Sequence, residues 1–121
     1  MAATVLLVED EVLIGDVVCD ALMEQGFTVH RTETADAALR YLESGHDIDV
    51  LFTDINLPGE INGAELATRA REMRPELPIV YASGRHTASD FGLVSRSVFV
   101  NKPYDLSDIC TLLHRLVPTE H

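Results

Sequence analysis

The sequence predicts an α/β fold: a five-stranded parallel sheet with helices on both faces. Short β-branched runs alternate five times with helix-period segments. The runs are apolar throughout instead of alternating with polar residues, as strands buried on both faces require. Four of the five runs are followed at once by polar or charged groups, at the carboxyl ends where open parallel sheets bind ligands.

Thr4-Val5-Leu6-Leu7-Val8 is the first strand, and the helix after it carries Ile14, Val17, Val18, Ala21 and Leu22 on one face up to Gly26. Phe27–Arg31 reads as the second strand. Thr34 caps a helix holding Ala38, Leu39 and Leu42, which stops at Ser44-Gly45. Ile48–Thr53 is the third strand. Asn62 with Glu65 forms an Asn version of the capping box, opening a helix with Leu66, Ala67, Ala70 and Met73 that ends before Pro75. Pro78–Ala82 and Val98–Val100 are the fourth and fifth strands. The last helix starts at Asp105, buries Leu106, Ile109, Leu113 and Leu116, and stops at Pro118. Residues 84–97 are poor in helix formers, so the fourth helix of the series is expected to be short, frayed or mobile.

The 121 residues suit one domain over 1–121, with a core of Val, Leu, Ile and Ala that needs no staples. Lys+Arg 9 against Asp+Glu 20 gives a net charge of −11, which argues against nucleic-acid and anionic membrane partners. No apolar run approaches the roughly 20 residues of a membrane span, and Met1-Ala2-Ala3-Thr4 lacks a basic leader region. Cys19 and Cys110 have no metal-ligand spacing and read as buried thiols of a reducing, cytoplasmic protein.

The chemistry gathers at the strand ends. Glu9-Asp10-Glu11 follows the first strand, Asp54 the third, Ser83-Gly84 the fourth and Asn101-Lys102-Pro103 the fifth. If the first and third strands are neighbours, Glu9, Asp10 and Asp54 meet, and their repulsion calls for a hard divalent cation such as Mg²⁺. A preference of acids for helix N-termini explains Glu11 well and Asp10 in part. It explains Asp54 poorly, because a Pro-Gly loop follows it. A lone lysine is ordinarily a solvated surface charge, yet Lys102 would face three acids. Ser83 and the next backbone N–H can both donate to an anion. Together these groups outline a phosphoryl site in which three carboxylates, Mg²⁺ and Lys102 cancel in charge.

The pattern resembles the receiver domain of two-component response regulators over nearly the whole chain. The residues that carry it are Val5–Glu11, Thr53–Gly59, Asn62-Gly63, Tyr81–Gly84 and Asn101–Tyr104. The resemblance implies the flavodoxin-like strand order 2-1-3-4-5 and a phosphoprotein in which Asp54 accepts a phosphoryl group from a histidine kinase, forming an aspartyl phosphate. It implies that Asp10 and Asp54 ligate Mg²⁺ directly, Glu9 through water and Asn56 through its backbone carbonyl. Ser83, Gly84 and Lys102 would hold the phosphoryl oxygens, Ser83 and Phe99 would form the switch, and the Lys102–Pro103 peptide would be cis. Asn56 and Arg85 occupy positions that tune dephosphorylation in the family.

Tyr81-Ala82-Ser83-Gly84 is also similar to the Phe-Ala-Thr-Gly signature of a single-domain subgroup nicknamed the FAT GUY receivers. Those are paired with kinases of the histidine-tryptophan-glutamate class. The chain departs from the common pattern at Gly63, nine residues after Asp54 where eight is usual, and at Gly84, where Ala is usual.

The resulting expectation is a phosphorylation-dependent protein-binding module, not an enzyme, with a histidine kinase or phosphotransfer protein as donor and a homodimer among the allowed assemblies. No output domain is expected, since only Pro118–His121 follow the last helix. A phosphate sink or phosphorelay intermediate is the alternative. An aspartyl-phosphate phosphatase would want a general acid at the position of Asn56, which cannot deliver a proton. A flavodoxin-like cofactor binder would place a phosphate against Glu9-Asp10-Glu11, which repels it.

Overall fold

A computed structural model describes residues 2–84 and 94–117 of the chain. Five strands, β1 (Thr4–Val8), β2 (Thr28–Thr32), β3 (Val50–Asp54), β4 (Ile79–Ser83) and β5 (Ser97–Asn101), form one parallel sheet. Their order is β2-β1-β3-β4-β5. The described helices are α1 (Val12–Glu24), α2 (Ala35–Glu43), α3 (Gly63–Met73) and α4 (Leu106–Leu116).

Successive strand residues point to opposite faces, so each strand feeds two cores. Leu6 and Val8 of β1 pack with Ala38 and Leu42 of α2 and Leu66 and Ala67 of α3. Val5 and Leu7 pack on the other side with Val18 and Leu22 of α1 and Ile109 and Leu113 of α4. The central strands β3 and β4 are buried along their whole length, which is why their sequences show no polar alternation.

Three helices start on side-chain caps. Thr34 Oγ1 accepts from Ala37 N at 3.1 Å, Asn62 Oδ1 from Glu65 N at 2.9 Å, and Asp105 Oδ1 from Ser107 N at 2.8 Å. Each such cap is worth about 1 kcal/mol. The expected box at Asn62 forms only in part, because Glu65 pairs with Arg69 one turn on at 3.4 Å. At α1 the N-cap, Glu11, makes no capping bond.

Several expectations are corrected. Val17 is 55% exposed and Met73 40% exposed. The buried line of α1 runs Gly15–Val18–Leu22, and Val17 lies about 100° around the helix from Val18. Met73 is the last residue of α3, past Ala70, the last buried residue of that helix. Strands two to five each end one residue later than the apolar runs suggest, so Asp54 and Ser83 are the last residues of their strands. Of the stretch 84–97 expected to hold a short or mobile helix, residues 85–93 lie outside the described residues. The segment re-enters firmly held. Val94 N donates to the Tyr81 hydroxyl at 3.3 Å, and Arg71 of α3 donates to the carbonyls of Ser95 at 2.7 Å and Arg96 at 3.2 Å. No helix among the described residues is long and apolar enough to cross a membrane.

Candidate functional site

Because β1 and β3 are neighbours, their carboxyl ends bring together acids that lie far apart in sequence. Glu9, just past β1, is 3% exposed and Asp54, closing β3, is 9% exposed, while Asp10 is open to solvent. One oxygen from each of the three lies within 4.8 Å of the others. Burial pushes the Glu9 carboxyl up from its ordinary pKa, and the nearby Asp54 charge pushes the same way against the pull of Lys102.

Lys102, the first residue past β5, meets this charge directly. Its Nζ donates to Glu9 Oε1 at 2.6 Å and to Asp54 Oδ2 at 3.0 Å. Its own backbone N–H donates to Ser83 O at 3.0 Å, and the Lys102–Pro103 peptide is cis. Burial by itself would depress the ammonium pKa, but the hydrogen bonds and charges of Glu9 and Asp54 lift it well above the ordinary lysine value. Tyr104 borders the same cluster, its phenol pushed up to about 12 by burial and then by the Glu9 charge. Sequence reasoning gave Tyr104 no role. The signal available was its position two residues past Lys102.

Ser83 closes β4 fully buried, and its Oγ accepts from Asn56 Nδ2 at 3.2 Å. Gly84 lies beside Lys102, in a cavity of about 460 Å³ whose walls include Asp10, Asp54 and Asn56. Asn62, read from the sequence only as a cap, is on that wall too. A Cβ at Gly84 would sit 3.5 Å from Lys102 Cβ, so alanine fits there without strain. Gly63 is different. A Cβ there would come within 1.9 Å of the Asp54 carbonyl oxygen, so only glycine lets the start of α3 lie against the strand end that carries Asp54. Its N–H donates to Ile55 O at 2.9 Å, closing the longer loop. Phe99 on β5 pairs in register with Tyr81 and packs half-buried on the α2–α3 core. Arg85 lies outside the described residues.

The site thus joins Glu9, Asp10, Asp54, Asn56, Gly84 and Lys102, with Ser83 directly behind Asn56 and Phe99 further along the edge of the core. Among the described residues its donors are hard carboxylate oxygens, a set that suits Mg²⁺. Three carboxylates facing one ammonium leave two negative charges in a partly dry setting, which a divalent cation would balance.

The chain matches the response regulator receiver domain over residues 5–114. It is 31% identical over 119 residues to the DNA-binding transcriptional regulator NtrC of Rhizobium meliloti (strain 1021), covering 93% of this chain and 24% of that protein. It is 31% identical over 122 residues to the sensor kinase CckA of Brucella abortus (strain 2308), covering 96% of this chain and 13% of that protein. The chain therefore spans a quarter or less of either relative. Among solved structures, a response regulator receiver protein from Sinorhizobium medicae WSM419 superposes with a TM-score of 0.88 at 34% identity, covering 95% of this chain and 94% of that one. The receiver domain of the hybrid histidine kinase CckA superposes with a TM-score of 0.82 at 26% identity, covering 95% of this chain and 99% of that one.

Proposed function

This chain belongs to the response regulator receiver domain family, and from that premise we propose that Asp54 is its phosphoacceptor in two-component signalling. The observation that carries the reading is the convergence of Asp54, Glu9 and Asp10 opposite Lys102. One Asp54 carboxylate oxygen attacks the phosphorus of a kinase phosphohistidine. The O–P bond forms as the N–P bond breaks, and the departing imidazole takes its proton from solvent. Lys102 and the Gly84 N–H stabilise charge on the transferring oxygens, and Ser83 donates to one of them once the acyl phosphate exists.

Asp10 and Asp54 would hold Mg²⁺ directly, Glu9 through water and Asn56 through its backbone carbonyl. The ion supplies charge neutralisation at the phosphoryl oxygens. Formation of the acyl phosphate draws Ser83 and Phe99 toward it and so changes a protein-binding surface in a cytoplasmic chain. The donor is a histidine kinase, of the histidine-tryptophan-glutamate class if the Tyr81–Gly84 signature carries over. An apolar hollow of about 520 Å³ beside Lys102, flanked by the exposed Leu13 and Val17, offers that donor a contact surface. The chain acts as a stoichiometric acceptor, because Asn56, two residues past Asp54, cannot serve as a general acid.

The test is incubation with a panel of phosphorylated histidine kinases and Mg²⁺, read by intact mass. One added phosphoryl group is expected, absent in Asp54→Asn and after chelation of the metal. Labelling that survives in Asp54→Asn would sink the reading. Likeness to a hybrid kinase's receiver supports a phosphorelay as second reading, distinguished by onward transfer of the label to a histidine phosphotransfer protein.

A further inference from the structure

The three acids of the site repel one another, and they are not held alike. Lys102 bonds Glu9 and Asp54, both buried, whereas Asp10 is exposed on the loop between β1 and α1. Within that loop the Glu11 N–H reaches Glu9 Oε2 only at 3.4 Å. The first turn of α1 is weakly anchored by its own residues. Its N-cap, Glu11, makes no capping bond, Val12 and Leu13 are exposed, and Ile14 is only partly buried. The end of β2 supplies ties on both sides of Asp10. Ahead of it, Thr32 O accepts from Glu9 N at 3.1 Å. Behind it, the Arg31 guanidinium donates to Val12 O at 3.1 Å and pairs with Asp16. We propose that Arg31 is a positioning residue for the cation site, gripping the first turn of α1 so that Asp10 stays beside Glu9 and Asp54.

The inference rests on the reading of Asp10 as a Mg²⁺ ligand. Its second support is Gly15, buried on α1 between Val12 and Asp16. A Cβ there would lie 2.8 Å from the guanidinium carbon of Arg31, so that group fills the space of a missing side chain. Glycine weakens a helix interior relative to alanine, but here it lets a planar guanidinium reach a carbonyl and a carboxylate one helical turn apart. Alanine at this position would displace the guanidinium, the flexible partner, and leave every charge in the chain. A released Asp10 must be fixed again when the cation binds, which corresponds to roughly fivefold or more in affinity. Electrostatics alone has the opposite sign at Arg31, because deleting a positive charge strengthens the pull on Mg²⁺.

The probe is Mg²⁺, titrated at constant ionic strength and followed by NMR through the backbone amide signals of residues 9–12. The proteins are the wild type, Gly15→Ala, Arg31→Ala, the double variant and Asp10→Asn. Gly15→Ala should bind roughly fivefold or more weakly, and amide exchange from Asp10 to Leu13 should quicken before any metal is added. Arg31→Ala should also bind more weakly, against the electrostatic trend. In its background Gly15→Ala should change affinity by less than about twofold. Unchanged or tighter binding by either single variant overturns the grip, as does an equal loss from Gly15→Ala without the guanidinium. If Gly15→Ala does not fold, the sign of the change in Arg31→Ala decides alone. Equal binding by the wild type and Asp10→Asn would instead overturn the metal reading of Asp10, and the grip with it.

Discussion

Lys102 is the only lysine in the sequence, and it is bonded to two buried carboxylates at once. A buried ion pair contributes little net stability, but removing one partner strands the other. Lys102→Met should therefore cost on the order of 3 kcal/mol at neutral pH, read from urea unfolding. The loss should shrink as acid protonates Glu9, whose raised pKa makes it take up a proton early. The ammonium itself binds its proton more tightly folded than unfolded. Its stabilisation is complete below the ordinary lysine pKa of 10.5 and is lost as pH climbs through the raised value. A Lys102→Met variant as stable as the wild type would mean that the acids are neutralised some other way.

Elements set which side chains can meet. His30 of β2 stacks on Tyr41 of α2 at 3.7 Å between centroids and 12° between planes. Tyr41 stacks in turn on His46, past the end of α2, at 4.2 Å and 6°. Burial, with a smaller push from the His46 charge, lowers the His30 pKa from 6.5. Arg74, the C-cap of α3, donates to the His46 carbonyl. The unfolded chain binds more protons at His30 than the folded one. Stability from this stack is thus present above 6.5 and lost as pH falls through the lowered value. Unfolding free energy measured from about pH 7 to about pH 5 should decline more steeply for the wild type than for His30→Phe, which keeps a ring but cannot titrate. Parallel slopes would show that the proton goes elsewhere.

Across the whole molecule the charge of −11 is concentrated further where three acids share one end of the sheet. Self-repulsion on this scale opposes compaction and is screened by salt, whose Debye length falls from about 30 Å at 0.01 M to about 8 Å at 0.15 M. The melting temperature should rise by several degrees over that range of sodium chloride concentration, roughly 1 kcal/mol for a domain of this size. A flat response would mean that the acids are already balanced within the fold. Mg²⁺ should raise it further at equal ionic strength, because it would bind the acids as well as screen them.

The sequence by itself determined the class of fold, the caps at Thr34, Asn62 and Asp105, and the residues at the strand ends, because each depends on neighbours a few positions away. Apolar runs, cap residues and breakers act locally and can be read locally. Tertiary structure alone decided that Lys102 reaches Glu9 more closely than Asp54, that Asn56 bonds to Ser83, that Gly63 must be bare to pass the Asp54 carbonyl, and that Val17 faces out. These are contacts between segments brought together by parallel crossovers. Tenths of an ångström or a turn of a helix separate a bond from a clash there, and no spacing along the chain encodes that distance.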